Sequence, residues 1–250
     1  MDGGSKSVGP GPATPASRLT DRIWRERGGW YEIRSVGLRR AVDLQFRSIL
    51  SCLSRGLEAG NPASWRVLDV GAGSAPYRKM FAGCREYVTM DPHGVADYAS
   101  LEAIPSDRTF DRILILEVLE HVRYPAALLK EVAARLAPGG EIWISVPFAA
   151  RVHRVPEDYW RWAPAGLEAL LEDSGLQGVE ILARGSGGAT LISKVILGLA
   201  RGLSSAVTAI PAAAGLALAL PVLGLGHRLS RPRPAEGVED PLGFFVVARR

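Results

Sequence analysis

Residues 65–70 form a short apolar run that leads directly into a glycine turn, Gly71-Ala72-Gly73. A buried strand followed by glycines lets the backbone approach a ligand closely at the carboxyl end of a parallel sheet. Asp91 lies twenty residues after Gly71 and ends a second apolar run. A carboxylate in that place can accept hydrogen bonds from two ribose hydroxyls. This pattern predicts a ligand with a ribose at the edge of an α/β sheet, although Asp69 and Asp91 could also simply cap turns.

Short apolar runs alternate with stretches of helical periodicity along most of the chain. Strands are predicted at 65–70, 86–90, 112–116, 141–146 and 179–183, with a last strand in the final segment GFFVVARR. Helices are predicted at 77–82, 126–136 and 164–172, the second of them stopped by Pro138-Gly139-Gly140. Apolar residues from Val42 to Leu57 also follow helical spacing. Continuous apolar strands alternating with helices predict a mainly parallel sheet covered on both faces.

Composition limits the classes of protein that need to be considered. The chain is 47% apolar with a net charge of +4, which is too small an excess to predict a nucleic-acid binder. Its two cysteines, Cys52 and Cys84, exclude a disulfide scaffold and a cysteine-built zinc site. Residues 1–20 contain no apolar run, so we expect a flexible tail rather than a secretory signal. A reducing cytoplasm is the expected compartment.

Four ordered blocks carry a resemblance to a known family. VLDVGAGSAPY, the acid in VTMDPHG, FDRILILEVLEHV and LLKEVAARLAPGGEIWISVPF resemble the class I S-adenosylmethionine-dependent methyltransferases, and within them the type 11 small-molecule group. The resemblance covers about 65–179 and returns in the final strand. It implies a Rossmann-like seven-stranded sheet with helices on both faces and an antiparallel last strand, formed by 63–188 and 238–250. Residues 21–62 would form an N-terminal helical cap.

The resemblance also implies which residues hold the cofactor, S-adenosylmethionine. Gly71 and Gly73 would let the backbone approach its amino-acid end, Asp69 would orient the turn, and Asp91 would hold the ribose. Ser100 stands where the family often has an aspartate for the adenine amino group, so the backbone of Leu101 would supply much of that contact. Glu117 would lie beside the methionine moiety. The complete set of implied cofactor residues is Asp69, Gly71, Ala72, Gly73, Asp91, Pro92, Ser100, Leu101 and Glu117.

The implied reaction is the attack of a nucleophile on a methyl group bonded to a positively charged sulfur. The protein then mainly aligns the reactants and excludes water, but an oxygen nucleophile also needs its proton removed. His121 and His153 are the candidate bases, and each could instead serve only in packing or in satisfying a helix start. The aromatic segment at 156–162 either lines the acceptor site or packs the loop onto the sheet. No NPPY, DPPY or HExxH pattern occurs, so neither a nucleic-acid substrate nor a metal is expected.

Residues 202–226 contain no charged side chain, and they fall inside an apolar segment, 189–237, that is predicted to be a helical insertion before the last strand. Pro211 and Pro221 divide it, and the strands on either side must join one sheet. A single membrane crossing is therefore disfavoured. Peripheral contact through 189–226 with the cytoplasmic face of a membrane and burial against protein remain the two alternatives.

Three functions are compatible with these features. The first is methyl transfer to a small-molecule or lipid-linked acceptor, with oxygen as the expected acceptor atom. The second is a cofactor-binding or membrane-docking module without catalytic activity. The third is a nicotinamide-dependent oxidoreductase, which is disfavoured because Pro76 occupies the place of the third glycine of a dinucleotide-binding turn.

Overall fold

The structure is a computed structural model that describes residues 43–152, 157–202, 215 and 221–250. Within these residues seven strands form one sheet: β1 (Arg66–Val70), β2 (Glu86–Met90), β3 (Phe110–Leu116), β4 (Leu136–Pro147), β5 (Gln177–Arg184), β6 (Pro232–Pro234) and β7 (Gly243–Arg249). Their order across the sheet is β2-β1-β3-β4-β7-β5-β6. The predicted tail at 1–20, and the part of the predicted cap at 21–42, lie outside the described residues.

The sheet has the mixed topology that the sequence predicts. β2, β1, β3 and β4 pair in parallel, whereas β7 runs antiparallel to both of its neighbours, β4 and β5. β7 begins at Gly243, so the predicted antiparallel last strand is confirmed. Because β1, β2 and β3 are parallel neighbours, their carboxyl ends lie side by side at one edge of the sheet.

Helices cover both faces of the sheet, as predicted. They are α1 (Leu44–Glu58), α2 (Pro125–Ala133), α3 (Pro164–Asp173) and α4 (Gly187–Gly202). α1 begins after Asp43, whose carboxylate accepts a hydrogen bond from the Phe46 amide, and α2 and α3 each begin with a proline. α1 packs on Val67 of β1, while α2 and α3 pack on the opposite face, against Leu68. The side chains of one strand thus alternate between two apolar layers.

Two predicted helices differ from the observed elements. The helix expected at 126–136 ends at Ala133, because Leu136 pairs with Phe110 and already belongs to β4. Pro138-Gly139-Gly140 therefore does not stop a helix; it forms an irregular stretch within β4, where the register shifts and Gly139 has a φ of 73°. At 77–82 the chain forms only a short 3₁₀ helix, Arg78–Phe81, instead of a full α-helix.

The predicted helical insertion at 189–237 is only partly helical where it is described. α4 continues to Gly202 and residues 221–229 are helical, but β6 then pairs antiparallel with β5 at the edge of the sheet. This strand was not expected, because two of its three residues are prolines, which lack the amide that a strand donates. It forms at the edge of the sheet, where prolines are tolerated. No helix within the described ranges combines the length and the apolar character needed to cross a bilayer.

Candidate functional site

The carboxyl ends of β1, β2 and β3 each lead directly into a residue that the sequence predicts to be functional. β1 ends at Val70 and is followed by Gly71, β2 ends at Met90 and is followed by Asp91, and β3 ends before Glu117. Val70 pairs with Met90 on one side and with Ile115 on the other. The register therefore brings the three predicted residues to one edge of the sheet.

The turn after β1 depends on its glycines. Gly71 has a φ of 70° and Gly73 a φ of 53°, in the left-handed region that favours glycine. A Cβ atom on Gly71 would lie 2.6 Å from Val118 Cγ2, whereas a Cβ atom on Gly73 would have no neighbour within 4 Å. The turn is thus packed tightly against the segment after β3 on one side and opens into space at Gly73. Ala72 lies between these glycines and is buried.

Asp91 joins the glycine turn to the loop that follows β2. Its Oδ2 accepts a hydrogen bond from the Gly73 amide at 2.7 Å. Its Oδ1 accepts hydrogen bonds from the amides of His93 at 2.8 Å and Gly94 at 2.7 Å. Each carboxylate oxygen has about two acceptor positions, so Oδ2 can still accept a hydroxyl donor. Pro92 follows directly in the same loop.

Asp69 lies in β1 and is buried on the face that α1 covers. Its Oδ2 accepts a hydrogen bond from the Tyr87 hydroxyl at 2.5 Å. Burial raises the pKa of this carboxyl from 3.8 to about 7, although the Tyr87 hydrogen bond acts in the opposite direction. The observed partner of Asp69 is thus a side chain of β2. Tyr87, which the sequence analysis did not select, also has a raised pKa because it is buried beside Asp69.

Glu117 is held by a network of hydrogen bonds that no local sequence pattern indicates. It has a φ of 56°, which is unusual for a residue with a side chain. Its Oε1 accepts hydrogen bonds from Ser145 Oγ at 2.8 Å and from Arg184 Nη2 at 2.7 Å. Arg184 is fully buried and also donates to the Val146 carbonyl at 2.9 Å. The only sequence signal for Arg184 is a charged residue directly after an apolar strand.

Glu120 and His121 follow in the turn after β3. The Glu120 carboxyl is fully buried, and neither of its oxygens has a hydrogen-bond partner among the described residues. Burial and the neighbouring Glu117 raise the pKa of Glu120 well above its usual value. His121 Nε2 lies 3.7 Å from Glu120 Oε1, and His121 Nδ1 is hydrogen-bonded to the Glu157 carbonyl. A carbonyl only accepts, so Nδ1 carries the hydrogen of a neutral His121 ring.

Residues 157–162 pack against this turn as a separate layer. The Tyr159 amide donates to the Glu120 carbonyl at 2.7 Å, and Trp160 Nε1 donates to the Val122 carbonyl at 3.0 Å. Trp162 is buried, but Tyr159 and Trp160 remain 46% and 41% exposed. The segment therefore presents two aromatic side chains to solvent beside the carboxyl end of β3.

The remaining predicted residues lie in different places. Ser100 lies beside Glu102 and lowers the pKa of its carboxyl. Leu101 is buried, and its carbonyl accepts a hydrogen bond from Arg135 Nη2 at 3.1 Å. His153 lies outside the described residues. The structure thus brings the glycine turn, Asp91 and Glu117 to one edge, with His121 in the adjoining turn.

This arrangement agrees with a comparison of the sequence with known families. The family model described as "Methyltransferase domain" matches residues 38–180, which is more than half of the chain. The chain belongs to this methyltransferase family. The predicted class I S-adenosylmethionine-dependent methyltransferase fold is confirmed, and membership of the family supports the expected enzyme class and cofactor. Placement in the type 11 group stays a prediction.

Two curated relatives are named ubiquinone biosynthesis O-methyltransferase. The present chain matches the protein from Aeromonas salmonicida (strain A449) with 29% identity over 114 residues, covering 38% of this chain and 46% of that protein. It matches the protein from Bradyrhizobium sp. (strain ORS 278) with 27% identity over 197 residues, covering 64% of this chain and 72% of that protein. The chain therefore spans less than half the length of the first of these relatives.

A solved structure supports the fold. The S-adenosylmethionine-dependent methyltransferase from Mesorhizobium loti superposes with a TM-score of 0.52 at 15% identity, over 81% of this chain and 98% of that one. The residues described here also fit the cofactor of the family. The open space above Gly73 leaves room for a ligand beside the turn, and the remaining acceptor capacity of Asp91 suits a ribose hydroxyl.

Proposed function

We propose that this protein transfers a methyl group from S-adenosylmethionine to an oxygen atom of a small-molecule acceptor. The observation that carries the proposal is the 2.7 Å hydrogen bond between the Gly73 amide and Asp91 Oδ2. It joins the glycine turn after β1 to the carboxylate after β2, the two features expected to bind the cofactor, at one edge of the sheet. The names of the curated relatives support oxygen as the acceptor atom. The small net charge of +4 supports a small-molecule acceptor over a nucleic acid.

The residues that would hold the cofactor have distinct roles. Asp91 would accept a hydrogen bond from a ribose hydroxyl at the remaining acceptor position of Oδ2, and the turn at Gly71 and Gly73 would approach the amino-acid end. Glu117 would face the positively charged methionine end, with its carboxylate fixed by Ser145 and Arg184. When bound, S-adenosylmethionine supplies a methyl group already activated by a positively charged sulfur. The protein therefore needs to orient the acceptor, exclude water and take up a proton.

Proton removal from the acceptor is assigned to one of the two predicted histidines, His121 or His153. His121 is one candidate, but its two ring nitrogens already face the Glu157 carbonyl and the Glu120 carboxyl. This geometry supports a positioning role for His121, which ties residues 157–162 to the turn after β3. We therefore assign the base first to His153 and second to His121.

The acceptor site is proposed to lie against residues 157–162. Tyr159 and Trp160 present exposed aromatic surface there, and hydrogen bonds hold their segment to the turn that follows Glu117. Rigid aromatic side chains give large contact area in a small-molecule site. An acceptor lying between this segment and the cofactor would have its reacting oxygen close to the sheet edge.

A lipid-linked acceptor is the second candidate. It is favoured by exposed aliphatic side chains in the insertion, including Leu191, Val195, Val222 and Leu225. Peripheral membrane contact through 189–226 would present such an acceptor to the enzyme. The cytoplasmic location, at the membrane face or away from it, stays a prediction.

To test this proposal, the purified protein is incubated with methyl-labelled S-adenosylmethionine and cell extracts, and the organic products are separated from the aqueous ones. Label in an aqueous small molecule supports the first candidate, and label in the organic phase supports the lipid-linked one. Cofactor binding without label in either phase would support the inactive-module alternative. His153→Ala should slow labelling without weakening cofactor binding. Slower labelling by His121→Asn, with unchanged labelling by His153→Ala, would instead assign the base to His121.

A further inference from the structure

α4 and the helical residues 221–229 pack against each other in opposite directions. A Cβ atom on Gly188 would lie 2.9 Å from Leu229 Cδ1, and one on Gly226 would lie 3.1 Å from Ile192 Cγ2. Residue 188 therefore neighbours 229, and residue 192 neighbours 226. This order defines an antiparallel pair of helices in which glycines permit the close approach.

The two helices divide their side chains between a buried face and an exposed face. Ala189 and Ile196 of α4 are buried, as is Leu223 of the second helix. The outward face instead carries Leu191, Val195, Val222 and Leu225, with 65%, 50%, 43% and 53% of their surface exposed. We call these four residues the aliphatic patch.

The patch has contiguous geometry on each helix. Leu191 and Val195 are four residues apart, and Val222 and Leu225 are three apart, so each pair lies on one side of its helix. The contact of Ile192 with Gly226 places these two pairs beside each other. A continuous exposed aliphatic surface on paired helices is a typical interaction surface.

The charged side chains of the two helices themselves have a single sign, whereas Asp240 packs against the start of α4 at Gly187 and Thr190. Lys194 follows Leu191 by three residues, and Arg228 follows Leu225 by three residues; both are exposed, as is Arg231. No aspartate or glutamate occurs between residues 181 and 235. Within the part of the chain that the structure describes, no salt bridge joins Lys194, Arg228 or Arg231 to a carboxylate. Aliphatic side chains with a rim of cations match the interface of an anionic lipid bilayer.

We propose that the aliphatic patch docks the protein peripherally on anionic phospholipid membranes, with Lys194, Arg228 and Arg231 facing the headgroups. The aliphatic side chains lose water contact at the acyl boundary, and the cations gain from the negative surface potential. This inference deepens the second candidate of the proposed function, which needs membrane contact through the same insertion, but its test does not depend on methyl transfer or on the edge at Asp91.

The test is flotation of the full-length protein with vesicles of phosphatidylcholine containing phosphatidylglycerol, compared with vesicles of phosphatidylcholine alone. The patch variant is Leu191→Gln with Leu225→Gln, and the charge variant is Lys194→Gln with Arg228→Gln. The control for the patch variant is Val179→Gln, at an exposed valine of β5. The control for the charge variant is Lys130→Gln, at an exposed lysine of α2. Melting temperature and S-adenosylmethionine binding report whether each variant remains folded.

The wild-type protein and both controls should float with the anionic vesicles, with less binding as salt is raised. Each double variant should bind at least about tenfold more weakly while keeping its melting temperature. Equal flotation of wild type and variants would overturn the inference, as would absence of the wild type from anionic vesicles. Self-association without lipid that the patch variant abolishes would also overturn it, since a second copy would then cover the patch.

Discussion

The guanidinium of Arg184 lies 2.7 Å from the carboxylate of Glu117, which joins the end of β5 to the end of β3 across the two strands between them. The arginine crosses β7 at Gly243, where a Cβ atom would overlap its guanidinium. Its other hydrogen bonds reach the Val146 carbonyl of β4 and, in α1, the Gln45 carbonyl and Ser48. Arg184 thus fixes Glu117 relative to several elements at once.

Arg184→Met should destabilise the fold by about 2–5 kcal/mol, because it leaves Glu117 without its cationic partner and removes several buried hydrogen bonds. Chemical denaturation measures this change in the free energy of unfolding. Arg249→Met is the matched control, since Arg249 is 52% exposed and pairs with Glu141 at the surface. Its expected loss is only about 0–1 kcal/mol. Equal losses from the two variants would show that the buried Arg184 pair stabilises the fold no more than a surface ion pair does.

Gly71→Ala should weaken both the fold and cofactor binding. Alanine at a φ of 70° costs about 1–2 kcal/mol, and its Cβ would lie 2.6 Å from Val118, so the turn must move away from β3. Melting temperature and calorimetric titration with S-adenosylmethionine measure the two effects. At Gly83 a Cβ meets nothing within 4 Å and φ is not positive, so Gly83→Ala is the control. A Gly71→Ala protein indistinguishable from this control would contradict the close approach.

Asp69 should make stability depend on pH. Burial raises the pKa of its carboxyl from 3.8 to about 7, so the folded state retains a proton that the unfolded state releases in this range. Its contribution is fully present below about pH 4 and is lost as pH rises through about 7. Asp69→Asn lacks this titration, so its free energy of unfolding relative to wild type should increase between about pH 4 and 7. Denaturation at several pH values checks this.

Asp107→Asn provides the control for this pH series, because Asp107 is exposed. Its difference from wild type should stay nearly constant across the same range. A constant difference for Asp69→Asn as well would mean that the carboxyl is ionised in the folded protein throughout.

The sequence predicted the elements that depend on local patterns. The apolar runs placed β2 correctly from Glu86 to Met90, and Gly71 and Asp91 could be selected because each directly follows a strand, whereas Glu117 was selected from the family resemblance. Parallel strands place such residues at a common edge, so the predicted parallel sheet was enough to indicate the edge at which the candidate site lies. The antiparallel last strand came from the family resemblance.

Features that depend on distant contacts could not be predicted in this way. Arg184 and Glu117 are 67 residues apart, and only the packed sheet brings them together. The helical periodicity continues to Leu136, but its pairing with Phe110 places it in β4 instead. The turn at Glu120 is contacted by residues 157–162, since the Tyr159 amide hydrogen-bonds the Glu120 carbonyl from far along the chain. In each case tertiary contacts outweigh local preference.

The most direct test of the account is calorimetric titration of S-adenosylmethionine into the wild-type protein and Asp91→Ala, with Asp107→Ala as the surface control. We expect binding to wild type and to the control, and an affinity loss of about 1–3 kcal/mol for Asp91→Ala, because the ribose loses its carboxylate acceptor. Unchanged affinity of Asp91→Ala, or stabilisation by a nicotinamide cofactor without binding of S-adenosylmethionine, would contradict the assignment of this edge as the cofactor site.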